Sequence, residues 1–211
     1  VLAGDFLFAQ SSWHLANLDN VDVVKLLSRV IMDLAEGEIK QNLNRYDSGQ
    51  TFSKYINKSY CKTASLIANS CKAAGVLSDI NTDKLDMLYE FGKNIGLAFQ
   101  VVDDILDFTG NDKQLGKPAV SDLASGYLTA PVLYALEENK NLSVLIDREL
   151  AEKNDLNDAL EIIMSSGAIK KSRGLAEDFA TQSKDAILWL PESEYKRALM
   201  ALPEFVLSRL Y

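Results

Sequence analysis

Cysteine occurs twice in these 211 residues and histidine once. Cys61 and Cys71 stand ten residues apart with no zinc-type partner at the usual short spacings, which leaves them as small core thiols suited to a reducing compartment. His14 sits beside Trp13, far along the chain from the acidic cluster described below, and reads as a surface or packing residue. No apolar run reaches the roughly 18 residues that a membrane span needs. Val1 to Gln10 has no basic stretch ahead of its apolar one, so neither a membrane anchor nor a secretion signal is expected. Cations are in deficit: 22 lysines and arginines face 30 aspartates and glutamates, for a formal charge of -8. Nucleic acid is therefore not an expected partner, because binding to its backbone runs on clustered positive charge. A phosphorylated ligand is not excluded, since bound metal ions can invert the local sign. Alternating strand patterns, fixed-period repeats and low-complexity tracts are also missing.

What remains reads as helix. With 47% hydrophobic residues the chain can bury a full core, and one all-α domain over residues 1–211 is expected. Leu2 to Ala9 runs straight into Ser11, Ser12 and Trp13 with helical spacing and no capping residue before it, so the natural polypeptide is expected to begin further upstream. A second helix spans about Val21 to Asn44, capped by Asp19 or Asn20, with Val24, Leu27, Ile31, Leu34 and Ile39 as its inward stripe. Asp47-Ser48-Gly49 breaks the chain, and a third helix runs from Thr51 to Gly75. The long fourth helix covers about Asp83 to Phe108, followed by a polar loop from Thr109 to Ser121. Thr129 can cap the next helix, whose first turn tolerates Pro131 because the missing amide hydrogen has no intrahelical partner there. Asn154 to Ser166, Ala168 to Trp189 and Glu192 to Leu210, the last bent at Pro203, close the chain.

The informative segment is Gly96-Leu97-Ala98-Phe99-Gln100-Val101-Val102-Asp103-Asp104-Ile105-Leu106-Asp107-Phe108. At about 100° per residue, Asp103 and Asp107 stack one turn apart, Asp104 flanks them, and Gln100 and Gly96 precede them on the same stripe. Like charges at this spacing repel, and carboxylates near an apolar core have raised pKa values, so the cluster needs compensation. Magnesium fits, because it takes oxygen ligands and is held by one or two carboxylates together with substrate phosphates. The competing reading is a solvated acidic face. The apolar neighbours Val101, Val102, Ile105, Leu106 and Phe108 speak against it, and Gly116-Lys117-Pro118 brings a cation near the acids.

Phe99-Gln100-Val101-Val102-Asp103-Asp104-Ile105-Leu106-Asp107, with Leu115-Gly116-Lys117-Pro118 and Ser121-Asp122-Leu123, resembles the second aspartate-rich motif of the trans-isoprenyl (polyprenyl) diphosphate synthases. Leu2-Ala3-Gly4-Asp5, Glu36-Gly37-Glu38, Lys62-Thr63-Ala64 and Thr129-Ala130-Pro131 fall in the family's order, and the wording is nearest its long-chain, solanesyl-type members of cyanobacteria and plastids. The resemblance implies an isoprenoid-synthase-type helical bundle with a central cavity, incomplete at its N-terminus. It implies Asp103, Asp104 and Asp107 as magnesium ligands, Asp107 directly or through water. Lys62 and Lys117 would neutralise diphosphate oxygens, Thr63 and Gln100 would hydrogen-bond near the reacting end, and Asp122 would orient its neighbours. A lysine that the family often has five residues after this aspartate is here Tyr127, so a phenol stands where one diphosphate contact is expected. The family's first aspartate-rich motif should precede Leu2, and nothing in this sequence matches it.

By this resemblance the chain would condense isopentenyl diphosphate with an allylic prenyl diphosphate to make a long-chain polyprenyl diphosphate, a quinone side-chain precursor, as a homodimer in a cyanobacterial cytoplasm or, alternatively, a plastid. The growing hydrocarbon would need a dry tunnel, for which Phe8, Ser12, Leu34, Phe99 and Phe108 are candidates, although apolar residues at helical spacing ordinarily just pack. A second reading is a truncated or accessory, non-catalytic subunit of a synthase dimer. A terpene cyclase fits less well, because its second metal motif usually carries Asn or Ser/Thr where this chain has plain aspartates.

Overall fold

The structure, a computed structural model, describes residues 1–110 and 120–210. Its elements are α1 (Leu2–Ala16), α2 (Val21–Leu43), α3 (Phe52–Ser59), α4 (Ser65–Leu77), α5 (Thr82–Thr109), α6 (Ser121–Ala124), α7 (Ala130–Glu138), α8 (Lys140–Asp147), α9 (Asp155–Ser165), α10 (Ala168–Asp185) and α11 (Glu194–Ser208). Among the described residues there is no strand. Local chemistry sets several of the starts. Asn20 accepts from the amides of Asp22 and Val23, Asn81 from Lys84, Thr51 from Lys54 and Ser193 from Lys196, each satisfying donors that the first helical turn leaves open.

The expected third helix is one rod with an inserted defect. Between α3 and α4 the backbone winds as a π-helical turn over Tyr60–Ala64, where the amide of Ser65 donates to the carbonyl of Tyr60. Such turns are rare and shift the face that the following residues present. Here the defect carries Lys62 and Thr63.

α5 is the axis of the molecule. α4 and the π turn pack along one side of it, α10 and α11 along another. The approach to α4 is close because of two glycines: a Cβ on Gly92 would lie 2.6 Å from the Ile67 carbonyl oxygen, and one on Gly96 would lie 2.6 Å from Ala64 Cα. Val101, Val102 and Ile105 of α5 join Leu128, Ile146, Ile163 and Ile187 in a continuous apolar core. Burying a side chain of this size contributes about 1.5–3 kcal/mol.

The inward face of α2 differs from the expected stripe. Val23, Val30, Asp33 and Gly37 are buried, whereas Ile31, Leu34 and Ile39 are exposed. α2 is apolar on more than one side, so periodicity alone does not select its face. Selection comes from contacts with the rod: a Cβ on Gly37 would sit 2.8 Å from Lys62 Cγ, and Asp33 accepts from Ser65 and from Arg29. Of the tunnel candidates, Phe8, Ser12 and Leu34 are exposed, Phe108 is buried and Phe99 packs partly buried against the core. α1 buries none of its side chains. At the other end, α10 stops at Asp185 rather than continuing to Trp189, and α11 holds Pro203 within the helix.

Candidate active site

Each Asp of the acid stripe on α5 has its own surroundings. Asp104 is 2% exposed, and its two oxygens accept from different elements: Oδ2 from the Tyr55 hydroxyl at 2.6 Å and Oδ1 from Gln100 Nε2 at 2.9 Å. Gln100 in turn accepts from the Thr63 hydroxyl at 2.7 Å, so the π turn, α5 and α3 are tied through one hydrogen-bonded chain. Burial lifts the Asp104 carboxyl to about 6, with the Tyr55 hydrogen bond, the Lys58 charge and the Gln100 hydrogen bond pulling it back down.

Asp103 points elsewhere. It is paired with Arg209, just past the end of α11, at 2.7 Å, and that guanidinium also lies 4.7 Å from the centre of the Phe99 ring. Both charged side chains are about a third exposed, at 34% and 38%.

Asp107, expected as a ligand directly or through water, is engaged with the start of α6 in this geometry. It is fully buried; Oδ1 accepts from the Ser121 hydroxyl at 3.2 Å and Oδ2 from the Asp122 amide at 3.1 Å. Its backbone carbonyl accepts from the Val120 amide at 2.8 Å. Asp107 thus fastens the start of α6 to α5, a cap supplied across the fold. Among the described residues, no group of three or more His, Cys, Asp or Glu side chains is placed to hold a metal. Asp103 and Asp104 both carry oxygen donors of the kind a hard cation takes.

Beside Asp104 lies a pocket of about 130 Å³ lined by Gln41, Lys58, Ser59, Lys62, Gln100, Asp104, Asp122, Tyr127 and Thr129. It therefore gathers Lys62, Gln100, Asp104 and Tyr127 from the residues that the sequence singles out. Lys62 reaches Gln41 Oε1 at 2.5 Å and Glu38 at 2.8 Å, both on α2. The Tyr127 ring lies 5.7 Å from the Arg45 guanidinium, which also donates to the Ser125 carbonyl at 2.7 Å. The turn before Tyr127 needs Gly126, whose φ is +81° and where a Cβ would meet the Tyr46 ring at 2.5 Å. Lys117 lies outside the described residues.

Four lining or supporting groups stand outside the expected site residues. Tyr55 meets Asp104 across 49 residues of chain, and no local spacing announces that pairing. Lys58 does have a signal, since it stands four residues before Lys62. Burial pulls its ammonium below the usual lysine range, while the charge of Asp104 opposes that shift. The hydroxyls of Ser59 and Thr129 are buried with no hydrogen-bond partner among the described residues. Thr129 accordingly precedes α7 without capping it through its side chain.

Known proteins resemble this chain along its whole length. The family profile of polyprenyl synthetase matches residues 1–163. A prenyl transferase from Synechocystis is 56% identical over 211 residues, covering 100% of this chain and 65% of the relative. The chloroplastic solanesyl diphosphate synthase 2 of Arabidopsis thaliana is 49% identical over 210 residues, again 100% of this chain but 50% of the relative. The chain thus spans less than two thirds of the length of these two relatives. A crystal structure of a polyprenyl synthase from Caulobacter crescentus, complexed with calcium and isoprenyl diphosphate, superposes with a TM-score of 0.90 at 32% identity, covering 100% of this chain and 66% of that one. The all-helical bundle, the polar pocket beside the acid stripe and these matches together place the chain in the polyprenyl synthetase family.

Proposed function

We propose that this chain is the part of a trans-prenyltransferase that carries its second acidic motif, and that the enzyme condenses isopentenyl diphosphate with an allylic prenyl diphosphate to give a long-chain product. The observation that carries the reading is the convergence of Lys62, Gln100, Asp104, Asp122 and Tyr127 on one pocket. The likeness to chloroplastic solanesyl diphosphate synthase supports a long product.

Asp103 and Asp104 would hold the divalent cation, magnesium in this reading, with Asp103 giving up its pair with Arg209 to do so. Their oxygens are hard donors, and a site with two carboxylates suits an ion that shares its coordination with waters and phosphate. The calcium and isoprenyl diphosphate in the Caulobacter relative support that pairing of ligands. When bound, the ion supplies Lewis-acid stabilisation of the charge growing on a departing diphosphate. The chain's own residues do the rest. Thr63 and Gln100 fix the Asp104 carboxylate in one orientation. Lys62 exchanges part of its contact with Glu38 and Gln41 for phosphate oxygens, a compact cation suited to that trade. Asp107 holds Asp122 at the rim of the pocket. Lys117 is included by resemblance as a further cationic contact.

A homodimer belongs to the same reading. Phe6, Leu7, Phe8 and Trp13 of α1 are each more than half exposed, and apolar side chains left exposed in this number on one helix favour an interface. The relatives are cyanobacterial and chloroplastic. No helix among the described residues is long and apolar enough to cross a membrane.

The test is turnover by the longest natural polypeptide that carries these residues, given magnesium, isopentenyl diphosphate and an allylic primer. Extended linear diphosphates are expected, and Asp103→Ala should reduce their formation by at least about 100-fold, the scale of losing a main electrostatic contact. If the native protein yields product only when mixed with a second, catalytic chain, the accessory-subunit reading replaces this one.

A further inference from the structure

We propose that Lys58 is a second diphosphate-contacting cation of this pocket, and that with the hydroxyls of Ser59 and Thr129 it forms the seat for phosphate oxygens that Tyr127 cannot supply. The inference rests on the diphosphate reading of the pocket and assigns a ligand contact to residues outside the expected motif.

Four lysines stand on the rod formed by α3, the π turn and α4, and three of them have a carboxylate in reach. Lys54 pairs with Asp47, Lys62 with Glu38 and Lys72 with Asp86. Lys58 makes no ion pair among the described residues. Its ammonium rests 5.3 Å from the centre of the Tyr55 ring, on the wall that also carries Asp104. A phenol face attracts a cation more weakly than an anion does. The ammonium therefore keeps donor capacity directed at the pocket.

The two hydroxyls beside it make the same point independently. Ser59 and Thr129 line the pocket with buried oxygens that have no hydrogen-bond partner among the described residues, and a buried hydroxyl left unsatisfied costs about 1–3 kcal/mol. An acceptor placed between them and Lys58 would satisfy both hydroxyls and the ammonium. A phosphate oxygen has the charge and the lone pairs for this. Lys58 and Lys62 stand four residues apart across the π turn and line the same pocket, so one diphosphate can meet both cations. Tyr127 lines it as well, at the position where a lysine is expected by resemblance. The simpler account of Lys58 is that it balances the buried Asp104 charge from a distance without touching ligand.

The two accounts separate on binding of inorganic pyrophosphate in the presence of magnesium, measured by calorimetry on the longest natural polypeptide, with thermal melting alongside. Lys58→Gln should weaken binding about tenfold or more, the scale of one hydrogen bond to a charged group. Lys58→Arg should keep most of the affinity, and Tyr127→Lys added to Lys58→Gln should restore most of it. Unchanged affinity in a normally melting Lys58→Gln protein overturns the proposal and leaves Lys58 as a counter-charge to Asp104. Wild-type protein that binds no pyrophosphate overturns the diphosphate reading and this inference with it. Where Lys58→Gln folds poorly, acetylation of wild-type protein decides: pyrophosphate with magnesium should slow modification of Lys58, and equal rates with and without it overturn the assignment.

Discussion

α5 and α1 are both rich in apolar side chains, yet the structure uses them in opposite ways. α5 buries Phe91, Ile95, Val101, Val102 and Ile105 and lets α4 approach to backbone contact over Gly92 and Gly96. α1 buries nothing and exposes Phe6, Leu7, Phe8 and Trp13. Apolar content therefore does not say which helix carries the fold. Close contact does, and the acid stripe has been built on the helix with the closest contacts.

The sharpest way to break that contrast is to push the rod off α5. Gly96→Val would drive a branched side chain into Ala64 Cα, against backbone that cannot swing aside. The expected loss is about 3 kcal/mol or more in denaturant unfolding, at the upper end for overpacking. A change below about 1 kcal/mol would mean that the contact is looser than described.

A smaller effect, of opposite sign, is expected at Asp104. Its folded carboxyl titrates near 6, above the ordinary 3.8, so the folded state holds its proton more tightly than the unfolded one. The associated stability is fully present below about pH 4 and is lost as pH rises through 6. Asp104→Asn removes that loss. Gln100 can flip its amide to accept from the new Asn, and Thr63 can accept in turn. The variant should gain up to about 3 kcal/mol over wild type at pH 8 in metal-free buffer, at 1.36 kcal/mol per pKa unit, and nothing at pH 4. Melting temperatures across that range give the answer, and a gain that persists at pH 4 would rule out titration of Asp104 as its source.

The least effect is expected on α1. Phe6→Ser should change the stability of this chain by no more than about 0.5 kcal/mol, as for an unsupported surface position. The same substitution should lower the apparent mass of the native protein in sedimentation if this surface joins two copies. A loss of several kcal/mol in this chain alone would show that α1 carries packing the structure does not give it.

Much of this was legible from residue order. Helical periodicity, with Asn20 as a cap candidate, locates α2, the rod and α5 within a few residues. The acid motif and its neighbours point to α5, and Lys62, Gln100 and Tyr127, singled out from sequence, line one pocket beside it. Three things were not legible, each for a physical reason. The inward face of α2 is chosen by Asp33 and Gly37, a charge and an absence of side chain, which hydrophobic periodicity ignores. Asp107 looks equivalent to Asp103 on a helical wheel, and only the return of the chain at Ser121 and Asp122 distinguishes them. Tyr55, Ser59 and Thr129 reach the site through tertiary approach alone.

The π turn over Tyr60–Ala64 also limits how this sequence can vary in length. One surplus residue is accommodated there without a loop, so the side chains beyond it are indexed differently from those before. Losing a single residue at that point would let the backbone rewind as an ordinary helix and would rotate everything downstream by about 100°. Ala64 and Ala68 would then no longer meet Gly96 and Gly92. Insertions and deletions should accordingly be tolerated at the Asp47-Ser48-Gly49 corner and selected against eleven residues later, although both lie on the same stretch of surface-to-core chain.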